Sequence, residues 1–261
     1  MLVICYGIAK SGSTLAFELV KGVLESAGHS QKKVPSAAIK PEGKRINYLV
    51  EVTPEAIEDT IAAIGPNRIV AAKTHLDLPD SLFRWFETMQ ADRKLQVITS
   101  FRDPRDMCLS LIDHGARARE TGRRGFAGVR DLSDASDMIE RAIGKFRKWS
   151  ALSGSLRLFY ETVAYAPDDA ITAIERTLGI TCDHEAAKDH AFKDARTLKN
   201  KAAKNRFEQE LDDRQKTLML KRFGFFIDRV CRDNDEQWFA ECRDEMLARP
   251  AGQPQQLAVA E

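Results

Sequence analysis

Eight residues, Gly7-Ile8-Ala9-Lys10-Ser11-Gly12-Ser13-Thr14, separate a short apolar run, Leu2 to Tyr6, from a helix-period pattern of Leu15, Leu19, Val20, Val23 and Leu24. A strand-to-helix turn of this kind turns N–H groups and the positive end of a helix dipole toward an incoming anion, which makes it a phosphate cradle. The triphosphate-binding pattern G-x-x-x-x-G-K-[ST] sets its lysine directly after the second glycine, where it reaches the outer phosphates, and the next hydroxyl binds magnesium. Here Ser13 stands in that place and the lysine is Lys10. None of the first three apolar runs that read as strands ends in Asp or Glu to complete a magnesium site. The turn therefore reads as a cradle for one phosphate of a nucleotide that is not hydrolysed as ATP, with no metal in the site.

A second anion site is spelled by Arg102 and Ser110, eight residues apart. Arg102 lies at the exit of a strand. Asp106, Ser110 and His114 follow it at successive i,i+4 positions, so all four share one face of a helix and can serve one ligand. A guanidinium fork matches a dianionic phosphate, and each charge-assisted bond contributes roughly 1.5 to 3 kcal/mol.

The elements that hold these residues follow from periodicity. Ile69 to Ala72, Leu95 to Ile98 and Leu156 to Tyr160 read as further strands, and Leu82, Phe83, Phe86 and Met89 form a helical stripe between two of them. Asp103 as N-cap and Pro104 as first helical residue open a helix running to about His114 or beyond. Another helix starts after Pro167 and stops at Gly179. The alternation predicts an α/β fold: a P-loop-like three-layer sandwich around a central parallel sheet, with a mostly helical C-terminal third. Residues 28 to 48, with Pro35, Pro41 and Gly43, read as a loop. So does Gly115 to Asp131, whose Arg117, Arg119, Arg123, Arg124 and Arg130 suit either a cationic lid or a solvated linker. Met138, Ile139, Ala142, Ile143, Phe146 and Trp149 then mark an amphipathic helix. Residues 1–248 are expected to form one domain and residues 249–261 a disordered tail.

Taken together, these residues resemble the sulfotransferases that use 3′-phosphoadenosine 5′-phosphosulfate (PAPS). Ala9 to Thr14 resembles their 5′-phosphosulfate loop, usually P-K-S-G-T-T. Phe101 to Asp106 with Ser110 resembles their 3′-phosphate motif. Lys73-Thr74-His75-Leu76 looks like the K-T-H-L segment of cytosolic members, and Leu158-Phe159-Tyr160-Glu161 with Pro167 and Leu178-Gly179 is similar to their F-Y-E-D…P…L-G block. The resemblance implies transfer of a sulfuryl group to a hydroxyl or amine, leaving adenosine 3′,5′-bisphosphate (PAP). It assigns Ser11, Gly12, Ser13 and Thr14 to the 5′-phosphate, Arg102 and Ser110 to the 3′-phosphate, and Tyr160 to the adenine edge. Lys10 stabilises the leaving bridging oxygen and His75 is the general base. Leu15 stands where cytosolic members carry an adenine-stacking tryptophan. Their late R-K-G triplet is absent, with Lys199, Lys201, Lys204 and Arg206 as a candidate substitute, and their dimer motif is not recognisable, so oligomeric state is open.

Composition narrows the partners. Forty Lys plus Arg against thirty-nine Asp plus Glu give a net charge of +1 in 261 residues, so no global field holds nucleic acid or an anionic membrane. No run of about 18 apolar residues spans a bilayer. Five scattered cysteines without metal spacing, behind an opening that lacks the features of a secretion signal, lead to the expectation of reduced thiols in a cytoplasmic protein. The acceptor is expected to be a small molecule, carbohydrate or glycolipid, anionic if the arginine segment binds it. Two rival classes are a P-loop kinase-like phosphotransferase with an aberrant loop, and a noncatalytic nucleotide-binding module.

Overall fold

The computed structural model describes residues 1–40, 46–194 and 203–249. Among them the strands are β1 (Leu2–Gly7), β2 (Val70–Thr74), β3 (Leu95–Phe101) and β4 (Leu156–Phe159). They form one parallel sheet in the order β2-β1-β3-β4. All six residues of β1 are buried. Its side chains alternate between two cores: Leu2, Ile4 and Tyr6 on one face, Val3 and Cys5 on the other. That is why the run reads as continuously apolar and not as alternating.

The helices are α1 (Ser13–Ser26), α2 (Pro54–Ile64), α3 (Phe83–Ala91), α4 (Pro104–Glu120), α5 (Leu132–Ala151), α6 (Tyr160–Tyr165), α7 (Pro167–Leu178), α8 (His184–Asp189), α9 (Arg206–Glu210), α10 (Asp213–Phe226) and α11 (Glu236–Ala248). Helices α1 and α7 pack on the Val3 face, whereas α3, α4, α5, α10 and α11 contribute to the Leu2 face. The chain leaves β1 through α1 on one face and β3 through α4 on the other. In a sheet of this order the two exits diverge between β1 and β3. A crevice therefore opens beyond their C-terminal ends, the usual position for ligands in open α/β sheets.

Most expected boundaries hold. Asp103 accepts the Arg105 N–H as N-cap of α4, with Pro104 following it, and Gly179 closes α7 in the left-handed conformation at φ 67°. Two corrections concern lengths. The strand expected to reach Tyr160 ends at Phe159, because Tyr160 already begins α6. The loop expected from Gly115 begins only after Glu120, because α4 continues through the first arginines. Glycine at 115 serves a close approach there: a Cβ on it would lie 2.2 Å from the Val129 carbonyl oxygen and 2.9 Å from that of Phe126. Arg119 Nη1 donates to the Ala127 and Val129 carbonyls. The arginine-rich segment is thus folded back onto α4.

Helix α2 was not anticipated, although Thr53 caps it, Pro54 opens it and Gly65 follows it. The C-terminal third is helical as expected. Arg249 pairs with Asp80 and Glu245. The rest of the expected tail, and Lys199 and Lys201, lie outside the described residues.

Candidate active site

The turn after β1 is shaped by contacts with β3. The Ile8 N–H donates to the Ser100 carbonyl at 3.3 Å, and the buried Ser11 hydroxyl donates to the same oxygen at 3.2 Å. A Cβ on Gly7 would meet Ser13 Cβ at 2.2 Å and Ser100 Oγ at 2.5 Å, so only glycine lets the chain reverse here. Lys10 and Gly12 both take left-handed backbone, at φ 69° and 74°. For a lysine that conformation costs on the order of 1 kcal/mol, strain of the kind held at functional turns. Helix α1 starts with no side-chain cap on Gly12 and no acidic residue in its first turn. Its first N–H groups are therefore directed at the crevice with nothing acidic competing for them.

Four cationic or basic groups converge on this turn. Lys10 stands with its ammonium 5.3 Å from the centre of the Phe126 ring, which the folded-back segment supplies. Burial and then the Arg117 charge pull its pKa down to about 8, against the opposing pull of Asp113. Lys73, buried in β2, donates to Thr14 Oγ1 at 2.8 Å. His75, just beyond β2, shares a 2.8 Å hydrogen bond between Nδ1 and the Gly7 carbonyl. A carbonyl only accepts, so Nδ1 carries the proton and Nε2 is the basic nitrogen of the neutral ring. The Tyr48 ring lies 6.1 Å from that imidazole. His114, nearly three turns along α4, packs edge-on against Phe126 at 5.2 Å, and burial followed by the charges of Lys10, Arg117 and Arg123 lowers its pKa.

At the other end Arg102 is buried. Its Nη2 donates to Asp106 at 2.7 Å and to the Ala203 carbonyl at 2.8 Å. Ser110 lies one turn beyond Asp106 and is also buried. The two motifs meet through Tyr160. Its ring stacks against the Arg102 guanidinium at 4.2 Å, and a Cβ on Gly12 would come within 2.4 Å of the same ring. One aromatic ring thus separates the Gly7–Thr14 turn from the strand-exit guanidinium.

No family model and no curated protein matches this chain. Its fold does match a solved structure. Retinol dehydratase, crystallised with androsterone and the inactive cofactor PAP, superposes with a TM-score of 0.50 over 87% of this chain and 80% of that one, at 16% sequence identity. The α/β architecture is shared; identity that low carries the fold and not the activity.

Lys10, Gly12, Ser13 and Thr14 line the turn, and Arg102, Ser110 and Tyr160 gather beside it. Ser11 is on the turn too, but its hydroxyl is engaged with Ser100. Arg206 is buried against Asp113 and Glu210 and so is not available as an anion clamp. Sequence reasoning quotes Lys73 and Glu161 within its motifs but assigns neither a role, and it does not single out Phe126. Glu161 adjoins Tyr160 in the sequence and lies 3.9 Å from Arg102 Nε.

Gly12→Ala tests the contact that joins the two halves. The substitution forces a Cβ into the Tyr160 ring on left-handed backbone, so we expect a lowered melting temperature. An unchanged melting curve would show that the Gly12–Tyr160 contact does not hold the two halves together.

Proposed function

We propose that this protein is a sulfotransferase that moves a sulfuryl group from PAPS to a hydroxyl or amine. The single observation behind this reading is the Tyr160 ring held between Gly12 and Arg102, which brings a phosphate turn and an arginine–serine pair into one crevice. The residues suit a 3′,5′-bisphosphate. Uncapped N–H groups of α1 suit the 5′ end, and buried Arg102, whose Nε has no hydrogen-bond partner among the described residues, suits the 3′ end together with Ser110. The likeness in fold to a protein solved with PAP supports the same choice.

The donor supplies a sulfuryl group whose S–O bond to the 5′-phosphate breaks as the acceptor oxygen or nitrogen bonds to sulfur. Lys10 and the α1 N–H groups take the negative charge that grows on the bridging oxygen, already oriented before the reaction begins. His75 Nε2 removes the acceptor proton, its ring fixed by the bond to Gly7. Lys73, through Thr14, adds positive charge near the same turn. Nothing in this scheme calls for a metal.

The acceptor enters from the Lys10 side, beneath Phe126. Arg117 and Arg123 act electrostatically on Lys10 and His114 there, which favours an acceptor carrying an acidic group, such as an acidic sugar or glycolipid. Among the described residues no helix is long and apolar enough to cross a membrane, and the five cysteines are free thiols.

Calorimetric titration with PAP and, separately, with ATP plus magnesium tests the reading. We expect PAP to bind more tightly than ATP; the opposite order would favour a kinase-like phosphotransferase. Binding of PAP without transfer from PAPS to any acceptor in a broad panel would leave a noncatalytic module.

A further inference from the structure

The guanidinium of Arg102 faces two carboxylates, and their situations differ. Both oxygens of Asp106 are engaged: Oδ2 accepts from Arg102 Nη2 at 2.7 Å and Oδ1 from the Phe207 N–H at 3.1 Å. Glu161 is held loosely. Its Oε1 lies 3.9 Å from Arg102 Nε, and its Oε2 and Arg102 Nε are both buried without a hydrogen-bond partner. A buried carboxylate oxygen with no donor is costly, and a carboxyl proton removes that cost.

The backbone N–H of Glu161 donates to its own carboxylate and opposes the effect of burial, but the other groups facing it among the described residues do not neutralise it. Between β3 and α4, the cap residue Asp103 adds negative charge, and Arg105 is already bound to Asp103 through two contacts of 3.0 and 2.6 Å. Tyr160 is on its own helix, and burial holds that phenol in its neutral form. Cys231, in the π-helical stretch Ile227–Arg232, contacts the Arg102 carbonyl at 3.7 Å, and burial keeps its thiol protonated. Among the described residues, the segment before α9 brings the Ala203 carbonyl to this cluster, and α9 itself brings the Phe207 N–H. One guanidinium thus serves two carboxylates. Docking a phosphate dianion on Arg102 brings a third acidic group to a guanidinium that, among the described residues, already faces two carboxylates.

We propose that Glu161 takes up one proton when a 3′-phosphate docks on Arg102, its Oε2–H becoming a hydrogen-bond donor in the complex, so that nucleotide affinity is linked to pH. This inference rests on the reading of Arg102 as the 3′-phosphate site. The proton comes from solvent and no covalent bond is broken. Burial already raises the proton affinity of Glu161 and of Asp106, although both also feel the opposing Arg102 charge. Glu161 is the one of the two with an oxygen to spare.

The sign follows from linkage. A group that gains a proton on binding has higher proton affinity in the complex, so nucleotide affinity is greatest at low pH. It falls by up to about tenfold per pH unit as pH rises from the carboxyl pKa of the unliganded protein to that of the complex. A phosphate ester loses its second proton near about pH 6, so above pH 7 the ligand arrives as a dianion.

The test is calorimetric titration of the full chain with PAP at pH 7.5, in two buffers of different ionisation enthalpy, repeated at higher and lower pH. We expect wild type to take up about one proton per PAP. Glu161→Gln should take up about one proton fewer per PAP than wild type, with affinity that depends less steeply on pH and retains only the contribution of Lys10, since the amide donates where the protonated acid would. Uptake that persists unchanged in Glu161→Gln, or its absence from wild type, overturns the inference while PAP binding itself stands. Failure of wild type to bind PAP at all overturns the sulfotransferase reading first. If Glu161→Gln does not fold, the infrared difference spectrum of wild type on adding PAP decides. A new protonated-carboxyl band supports the proposal and its absence refutes it.

Discussion

Lys10→Ala is expected to lower the rate of sulfuryl transfer by about 10² to 10³-fold, equivalent to roughly 2.7 to 4 kcal/mol of transition-state stabilisation. The ammonium belongs to the turn whose N–H groups face the crevice, where the proposed reaction would develop charge on the bridging oxygen. Folding stability should change little, because alanine inherits the same left-handed backbone at φ 69° and leaves that strain where it is. A rate effect without a stability effect is the signature sought, and single-turnover kinetics beside a melting curve reads both. An unchanged rate would remove Lys10 from the mechanism. The same lysine sets an alkaline limit. Burial and the nearby Arg117 charge bring its pKa down to about 8, so the charged form is complete below that pH and is lost above it. In wild type kcat/KM, which reports the free enzyme, should decline above about pH 8, and in Lys10→Ala that decline should disappear.

The part of this site that is legible in the sequence is the part made by neighbours along the chain. The turn from Gly7 to Thr14, the cap Asp103-Pro104 and the spacing of Arg102 from Ser110 are local patterns, and each carries its backbone geometry with it. Sheet order follows from β-α alternation only in outline; that β1 lies between β2 and β3 depends on pairings 68 and 93 residues apart. What escaped the sequence is made of still longer connections. Phe126 reaches Lys10 because Gly115 lets a loop fold back on α4, a contact that no periodicity encodes. The engagement of Arg102 with the Ala203 carbonyl crosses 101 residues. The arginine-rich segment reads from composition as a solvated linker or a lid alike. The two carbonyls that bind Arg119 are what decide that it folds back. Glu161 illustrates a subtler limit, since its type and position were visible while its orphaned oxygen exists only in the packed site.

His75 separates a chemical role from a structural one, and two substitutions distinguish them. Its Nδ1–H holds the carbonyl of Gly7, the residue at which β1 becomes the phosphate turn. His75→Ala removes both that bond and the basic Nε2. Loss of the bond costs about 1 kcal/mol of stability, and loss of the base costs about 10² to 10⁴-fold in transfer. His75→Asn keeps a donor where Nδ1–H stood, since its amide nitrogen branches at the same point of the side chain, but offers no base at the position of Nε2. If His75 is the general base, both variants lose transfer to the same extent while their PAP affinity stays near wild type. If the histidine only anchors the turn, asparagine restores activity that alanine loses, and PAP affinity falls in the alanine variant alone. Single-turnover transfer and calorimetric PAP binding, measured on both proteins, read the two cases apart. The Nδ1 anchor is what gives the general-base assignment its force. By fixing the tautomer it leaves the lone pair on the nitrogen farther from the backbone, the one able to take a proton from an acceptor arriving beside Lys10.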